Sequence, residues 1–171
     1  MLTVVSDSDV IIHLTRLNEM RLLSILYKTV HIPRYVEYEM VNNQYDEAEK
    51  IKDVIRKGIL KVHETDDKRV KDIVKKYNIH IGEGHVKGLA EELNARIFLS
   101  NERKVRLVAK KEGFHVVGSI GIVLRSVVEN ILSMKEALVL LERLKDKEFR
   151  IHPNVIDSAI DSLGRNKGRF I

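Results

Sequence analysis

The 171-residue chain has no cysteine and no tryptophan, and only two prolines. Without cysteine there can be no disulfide, thiolate nucleophile or cysteine-ligated zinc or iron–sulfur site, a composition suited to a reducing cytoplasm. No apolar run approaches the length of a membrane span. The first twenty residues carry Asp7, Asp9 and Arg16 rather than an apolar stretch behind a basic start, so neither secretion nor membrane insertion is expected and the chain reads as cytoplasmic. Abundant Lys, Glu, Ile and Val beside so little proline resembles a heat-adapted composition. What remains is 44% hydrophobic and 32% charged, an ordinary globular balance well away from disorder. Length predicts one domain, residues 1–171, with a core that needs no staples. Thirty basic against 25 acidic residues leave a net charge of +5, which favours a polyanionic partner such as nucleic acid.

The hydrophobic pattern alternates between strand and helix. Residues 3–6 read as a buried strand, and 9–26 as one or two helices carrying Ile12, Leu14, Leu17, Leu22, Leu23 and Leu26 at helical spacing. "TVHI" at 29–32 is a second strand, and Pro33 stands where the first residue of a helix over "RYVEYEMV" would be. Residues 46–57 form a helix closed by Gly58, "ILKVHE" at 59–64 a strand, and "DKRVKDIVKKY" a basic amphipathic helix whose lysines and arginines either face solvent or touch nucleic acid. A helix begins at about Glu83, "RIFLS" at 96–100 is a strand, 103–112 a helix and "FHVVG" a last strand. Helices at 119–131, 135–145 and 153–163 follow, the last stopped by Gly164, with a flexible basic tail over 165–171. Ala137, Leu138, Leu140, Leu141 and Leu144 form an apolar stripe that belongs to the core or to a subunit interface. Strands alternating with helices predict an α/β fold with a central parallel sheet covered on both faces.

Acidic residues stand where such a sheet collects ligands, at the carboxyl ends of its strands. Asp7 follows the first strand and Glu102 the fourth; if those strands are neighbours, the two carboxylates face one crevice. Glu39 and Glu83 leave connections on the same side. Each also has a plain structural reading: Asp7 as a helix N-cap, Glu83 and Glu102 as acids favoured at helix starts, and Glu39 as a solvated helix residue with Glu37 its competitor. His80 and His85 bracket Glu83, but their spacing is poor for zinc. "GSIG" at 118–121 lacks the lysine and the length of a phosphate loop.

"VVSDSDVIIHL", "IPRYVEYEM", "GEGHVKGLA" and "LSNERKVRLVAKKEGFHVVGSIGIVL" resemble, in that order and spacing, the PIN-domain ribonucleases. The likeness is to the small stand-alone prokaryotic members, many of them toxins of toxin–antitoxin pairs, and "EFRIHPNVIDSAIDSL" extends it to nearly the whole chain. The resemblance implies a three-layer α/β/α sandwich (PIN-like) and a metal-dependent ribonuclease in which Asp7, Glu39, Glu83 and Glu102 are catalytic. Asp7, Glu83 and Glu102 would ligate Mg²⁺ or Mn²⁺, while Ser100, with Asp9 and Asn101, would support them. It also implies an RNA substrate, an antitoxin protein as a possible partner, and a homodimer. Arg103 and Arg106, just beyond Glu102, are the candidates for phosphate contact.

This chain departs from the family pattern in carrying Glu102 where an aspartate is usual and Asn101 where related chains have an acid. Asp9 stands where a small polar residue is usual, and either adds a carboxylate to the site or faces solvent. Carboxylates are the appropriate ligands for a hard cation, and several converging without one would raise each other's pKa. The rival reading is a catalytically silent member of the fold that binds nucleic acid or protein. A phosphate-accepting receiver domain fits less well, because no lysine follows the last strand.

Overall fold

A computed structural model describes residues 2–42 and 47–165. The chain divides into two compact units, Met1–Gly118 and Ser119–Ile171. In the first, β1 (Val4–Ser6), β2 (Val30–Pro33), β3 (Leu60–His63), β4 (Ile97–Leu99) and β5 (His115–Val117) form one sheet in the order β3-β2-β1-β4-β5. Every pairing is parallel. β1 and β4 are buried throughout, as β-branched and aromatic strands covered on both faces must be.

Between the strands run α1 (Ser8–Arg16), α2 (Arg21–Tyr27), α3 (Arg34–Asn42), α4 (Ala48–Arg56), α5 (Asp67–Tyr77), α6 (Ile81–Glu92) and α7 (Arg103–Lys111). From β1 the chain steps outward through β2 to β3, then returns past both to β4 and on to β5. Because parallel crossovers are right-handed, the reversal puts α1–α4 over one face and α5–α7 over the other. The result is a three-layer α/β/α arrangement. The second unit holds α8 (Ser119–Val128), α9 (Met134–Arg143) and α10 (Pro153–Arg165), which pack on one another. Ala137, Leu140, Leu141 and Leu144 of the apolar stripe are buried there and Leu138 half so. Among the described residues no helix is long and apolar enough to cross a membrane.

Several expected boundaries move. The span 9–26 is two helices, separated where Asn18 adopts a left-handed φ of 60°. Pro33 is the last residue of β2, in register with His63, and the helix starts at Arg34; a residue with fixed φ and no N–H also suits a strand end. The helix expected from Glu83 begins two residues earlier, at Ile81. Gly164 does not stop α10, which runs on to Arg165. A glycine inside a helix costs only about 1 kcal/mol, and Gly164 is not held at positive φ. Gly58 does close α4, at φ +73°. Asp46 and residues 166–171, most of the expected tail, lie outside the described residues.

One glycine sets how closely two helices approach beside the sheet. A Cβ on Gly84 of α6 would stand 2.5 Å from Val74 Cγ2 and 3.3 Å from Val70 Cγ1, both on α5. Gly84→Ala is therefore expected to destabilise the chain by about 1–3 kcal/mol, the usual cost of overpacking. Val74→Ala in the same chain should recover much of that loss, and denaturant midpoints of the single and double variants measure both. Additive losses would show that the helices are not in contact here.

Candidate active site

β1 and β4 are the strands from which successive connections leave in opposite directions, and the crevice at their carboxyl ends is where an open parallel sheet binds ligands. Ser6 is in register with Leu99, so the residues that follow, Asp7 and Ser100, emerge side by side. Two backbone bonds hold them there, Asp7 N to Leu99 O and Ser100 N to Val117 O, both 3.0 Å. Asp7 is the N-cap of α1, its Oδ1 accepting from Val10 N at 3.2 Å. Ser100 donates its hydroxyl to the Asp7 carboxylate and accepts from Glu102 N at 3.1 Å, so one buried serine ties the two acid-bearing loops together. Burial raises the Asp7 pKa to about 7, and the neighbouring charges of Asp9 and Glu102 push the same way.

The other acids reach this crevice from three elements. Glu39 projects from α3 over the backbone of Gly82, where a Cβ would stand 3.3 Å from its Oε2; burial and the charge of Asp9 raise its pKa. Glu37, its competitor in sequence, is instead paired with Arg34. Asp9 sits in the first turn of α1, and Glu102 is the exposed N-cap residue of α7. Glu83 is in the first turn of α6, its Oε2 accepting from His80 N at 2.7 Å. Asp7, Asp9, Glu39, Glu83 and Glu102 together line one cleft of about 300 Å³, with no lysine or arginine among its described lining residues.

Among the described residues no three His, Asp or Glu side chains stand close enough together to hold one metal ion. Glu83 is turned back on the His80 amide, and Asp7 is engaged by Val10 N and Ser100. The donor set still suits a hard divalent cation, being all carboxylate oxygen. A buried acid whose pKa is raised by burial and by like charges, with no lysine or arginine among the described residues of the cleft lining, is the electrostatic complement of one. His85 belongs elsewhere: its Nδ1 lies 2.7 Å from Thr65 Oγ1 and its ring stacks on Tyr35.

Around the last acid, Arg103 and Arg106 part company. Arg103 is exposed at the start of α7. Arg106 donates from Nη1 to Ser100 O at 3.0 Å, bracing the loop between β4 and α7. Asn101 is held from the other side, its Nδ2 3.2 Å from Nδ1 of His13. Burial lowers the His13 pKa to about 4, so a neutral imidazole can accept this bond. Gly118 leaves the room: a Cβ there would meet Asn101 Oδ1 at 2.7 Å and Arg106 Nη1 at 3.0 Å. Sequence reasoning passed over His13, because nothing local links it to a loop some 90 residues away. Gly118 it read only as close packing of a helix start on the sheet, whereas the close approach is to Asn101 and Arg106.

The fold and the site agree with what the chain is similar to. Its structure superposes on the crystal structure of PAE2754 from Pyrobaculum aerophilum with a TM-score of 0.55 at 15% identity, covering 74% of this chain and 90% of that one. At that identity the likeness shows the fold. No curated protein matches the sequence. The family model described as PIN domain matches residues 3–165, from the first strand to the last helix, and the chain belongs to the PIN-domain family.

Proposed function

We propose that this PIN domain is a divalent-metal-dependent endoribonuclease that hydrolyses RNA phosphodiester bonds. PIN domains are typically nucleases and generally use divalent ions. The observation that carries the finer reading is the cleft at the β1/β4 edge, lined by five carboxylates with no lysine or arginine among its described lining residues. Asp7, Glu83 and Glu102 are the residues that would hold Mg²⁺ or Mn²⁺. Once bound, such an ion offsets the carboxylate repulsion, makes a bound water more acidic and polarises the phosphoryl oxygen.

The chain's own groups supply the rest. Ser100 fixes the Asp7 carboxylate and the Glu102 backbone at once. Glu39, with its raised proton affinity, is suited to take the proton of the attacking water. Water adds to phosphorus, its proton passing to Glu39, as the bond to the bridging oxygen breaks and that oxygen takes a proton from solvent, so one strand becomes two. Arg103 lies where it can meet a backbone phosphate. A basic protein with a local acidic cleft suits the task, since its surface attracts the polyanion while the cleft attracts the cation.

The test is cleavage of single-stranded RNA by purified protein. Activity is expected with Mg²⁺ or Mn²⁺, to be abolished by chelator and restored by adding the ion back. The capping bond of Glu83 and the lack of a ready three-ligand cluster among the described residues favour one rival, a silent nucleic-acid-binding or protein-interaction module. RNA binding without cleavage at saturating metal would establish that rival. If the enzyme acts as a toxin, its expression should arrest growth, and an antitoxin partner should relieve the arrest. A homodimer, expected from the family resemblance, would show in solution mass.

A further inference from the structure

A second cavity, of about 450 Å³, opens beside the carboxylate cleft, and Ile81 lines both. Tyr35 and Tyr38 face it from α3, three residues apart and so on one side of the helix. Glu39, four residues after Tyr35, lines the carboxylate cleft. The same helix thus presents aromatic rings to one hollow and an acid to the next. Tyr35 is held rigidly, stacked on His85 with centroids 4.6 Å apart and rings inclined by 11°. His85 is itself anchored to Thr65. Tyr38 is 62% exposed and Ile81 39%, large apolar surface left open at the mouth of a polar-edged hollow.

Two cations border the cavity, and they differ. Arg34 is paired with both Glu37 and Glu64. Lys71 is exposed and makes no ion pair among the described residues. Glu64 and Asp67 also line the cavity, Glu64 being paired with Arg34. A flat partner with an apolar face, a hydrogen-bonding edge and a phosphate attached would meet the tyrosine rings, the polar edge and Lys71. Single-stranded RNA is bound in this way elsewhere, by stacking unpaired bases on aromatic side chains while basic residues follow the backbone.

We propose that this cavity is a nucleobase subsite, in which an unpaired base adjoining the scissile phosphate stacks on Tyr38 while Lys71 contacts the neighbouring backbone. The proposal deepens the nuclease reading and rests on it for where the scissile phosphate lies. It accounts for the shared Ile81 wall, which puts the base and the phosphate in adjoining hollows, and it selects single strands, since a duplexed base is already stacked.

The test reads binding without cleavage, in chelator, on the Asp7→Asn protein. Fluorescence anisotropy compares a short end-labelled oligoadenylate with an abasic strand of equal length. The base-bearing strand is expected to bind about tenfold more tightly or better, the scale of one base–aromatic stack. Tyr38→Ala should collapse that ratio towards one, and Tyr38→Phe should keep it. Lys71→Ala should weaken both strands alike and lower the salt dependence. Because Tyr38 is exposed, its loss should not disturb folding, which circular dichroism checks. A ratio that Tyr38→Ala leaves intact, or that is near one before any change at Tyr38, overturns the subsite. Failure of the nuclease reading shows separately, as absence of metal-dependent cleavage by the unsubstituted chain.

Discussion

At pH 8 the Asp7→Asn protein is expected to resist denaturant better than the unsubstituted chain, and at pH 4 the two are expected to coincide. The side chain at position 7 caps α1 and accepts from Ser100; asparagine can do both, because its amide oxygen is as good a cap as a carboxylate. Only the titratable charge is removed. The folded carboxyl has its pKa at about 7 against an ordinary 3.8, so between those values the unfolded chain gives up its proton while the folded chain keeps it. Stability attached to this group is therefore fully present below about pH 4 and lost as pH rises through 7. The whole span corresponds to about 4 kcal/mol at most. The variant's advantage should grow through that window and level off above it, while RNA cleavage falls to background at every pH. Glu39, raised in the same direction, tilts both proteins alike, so the difference between them isolates Asp7. Parallel stability curves from pH 4 to 8 would mean that the Asp7 carboxyl is not desolvated as the structure has it.

That trade between stability and chemistry was partly legible in the sequence. A carboxylate closing a β-branched run at Val4–Val5 stands at a strand's carboxyl end in any parallel sheet, and because β1 and β4 are neighbours, Asp7 and Glu102 do line one cleft. Adjacency itself was not legible, since strand order depends on which crossover reverses, and local pattern is silent on that. The role of Asp9 was also left open by the sequence. A first-turn residue of α1 can point either way, and only the position of Glu39 across the cleft shows that it joins the acids.

Glu83 shows a different limit. Its spacing from His80 suits a capping box and its neighbours suit a binding site, and the structure displays both facts at once: the carboxylate lines the cleft while accepting from His80 N. No pattern of residue types could say which use prevails, because the answer is a side-chain rotation. Tyr35 and Tyr38 were hidden for the opposite reason. Aromatics at i and i+3 on an amphipathic helix ordinarily read as core, and what sets Tyr38 apart is its exposure, which only tertiary structure shows.

Those two uses of Glu83 can be separated by metal. Saturating Mn²⁺ or Mg²⁺ is expected to raise the thermal midpoint of the unsubstituted chain at pH 8 by about 5–10 °C. This follows from about 2.7 kcal/mol of linkage at a hundred times the dissociation constant and about 2–4 °C per kcal/mol for a chain of this size. The shift should shrink by pH 6, because Asp7 then carries a proton that the ion must displace. In Asp7→Asn it should nearly vanish. Glu83→Gln is the informative variant: glutamine can accept from His80 N as glutamate does, so metal-free stability should hold within about 0.5 kcal/mol, yet the metal-induced shift should fall. A shift in Glu83→Gln equal to that of the unsubstituted chain would assign Glu83 to the cap alone. A shift reproduced by potassium chloride of equal ionic strength would be screening of surface charge, not binding in the cleft.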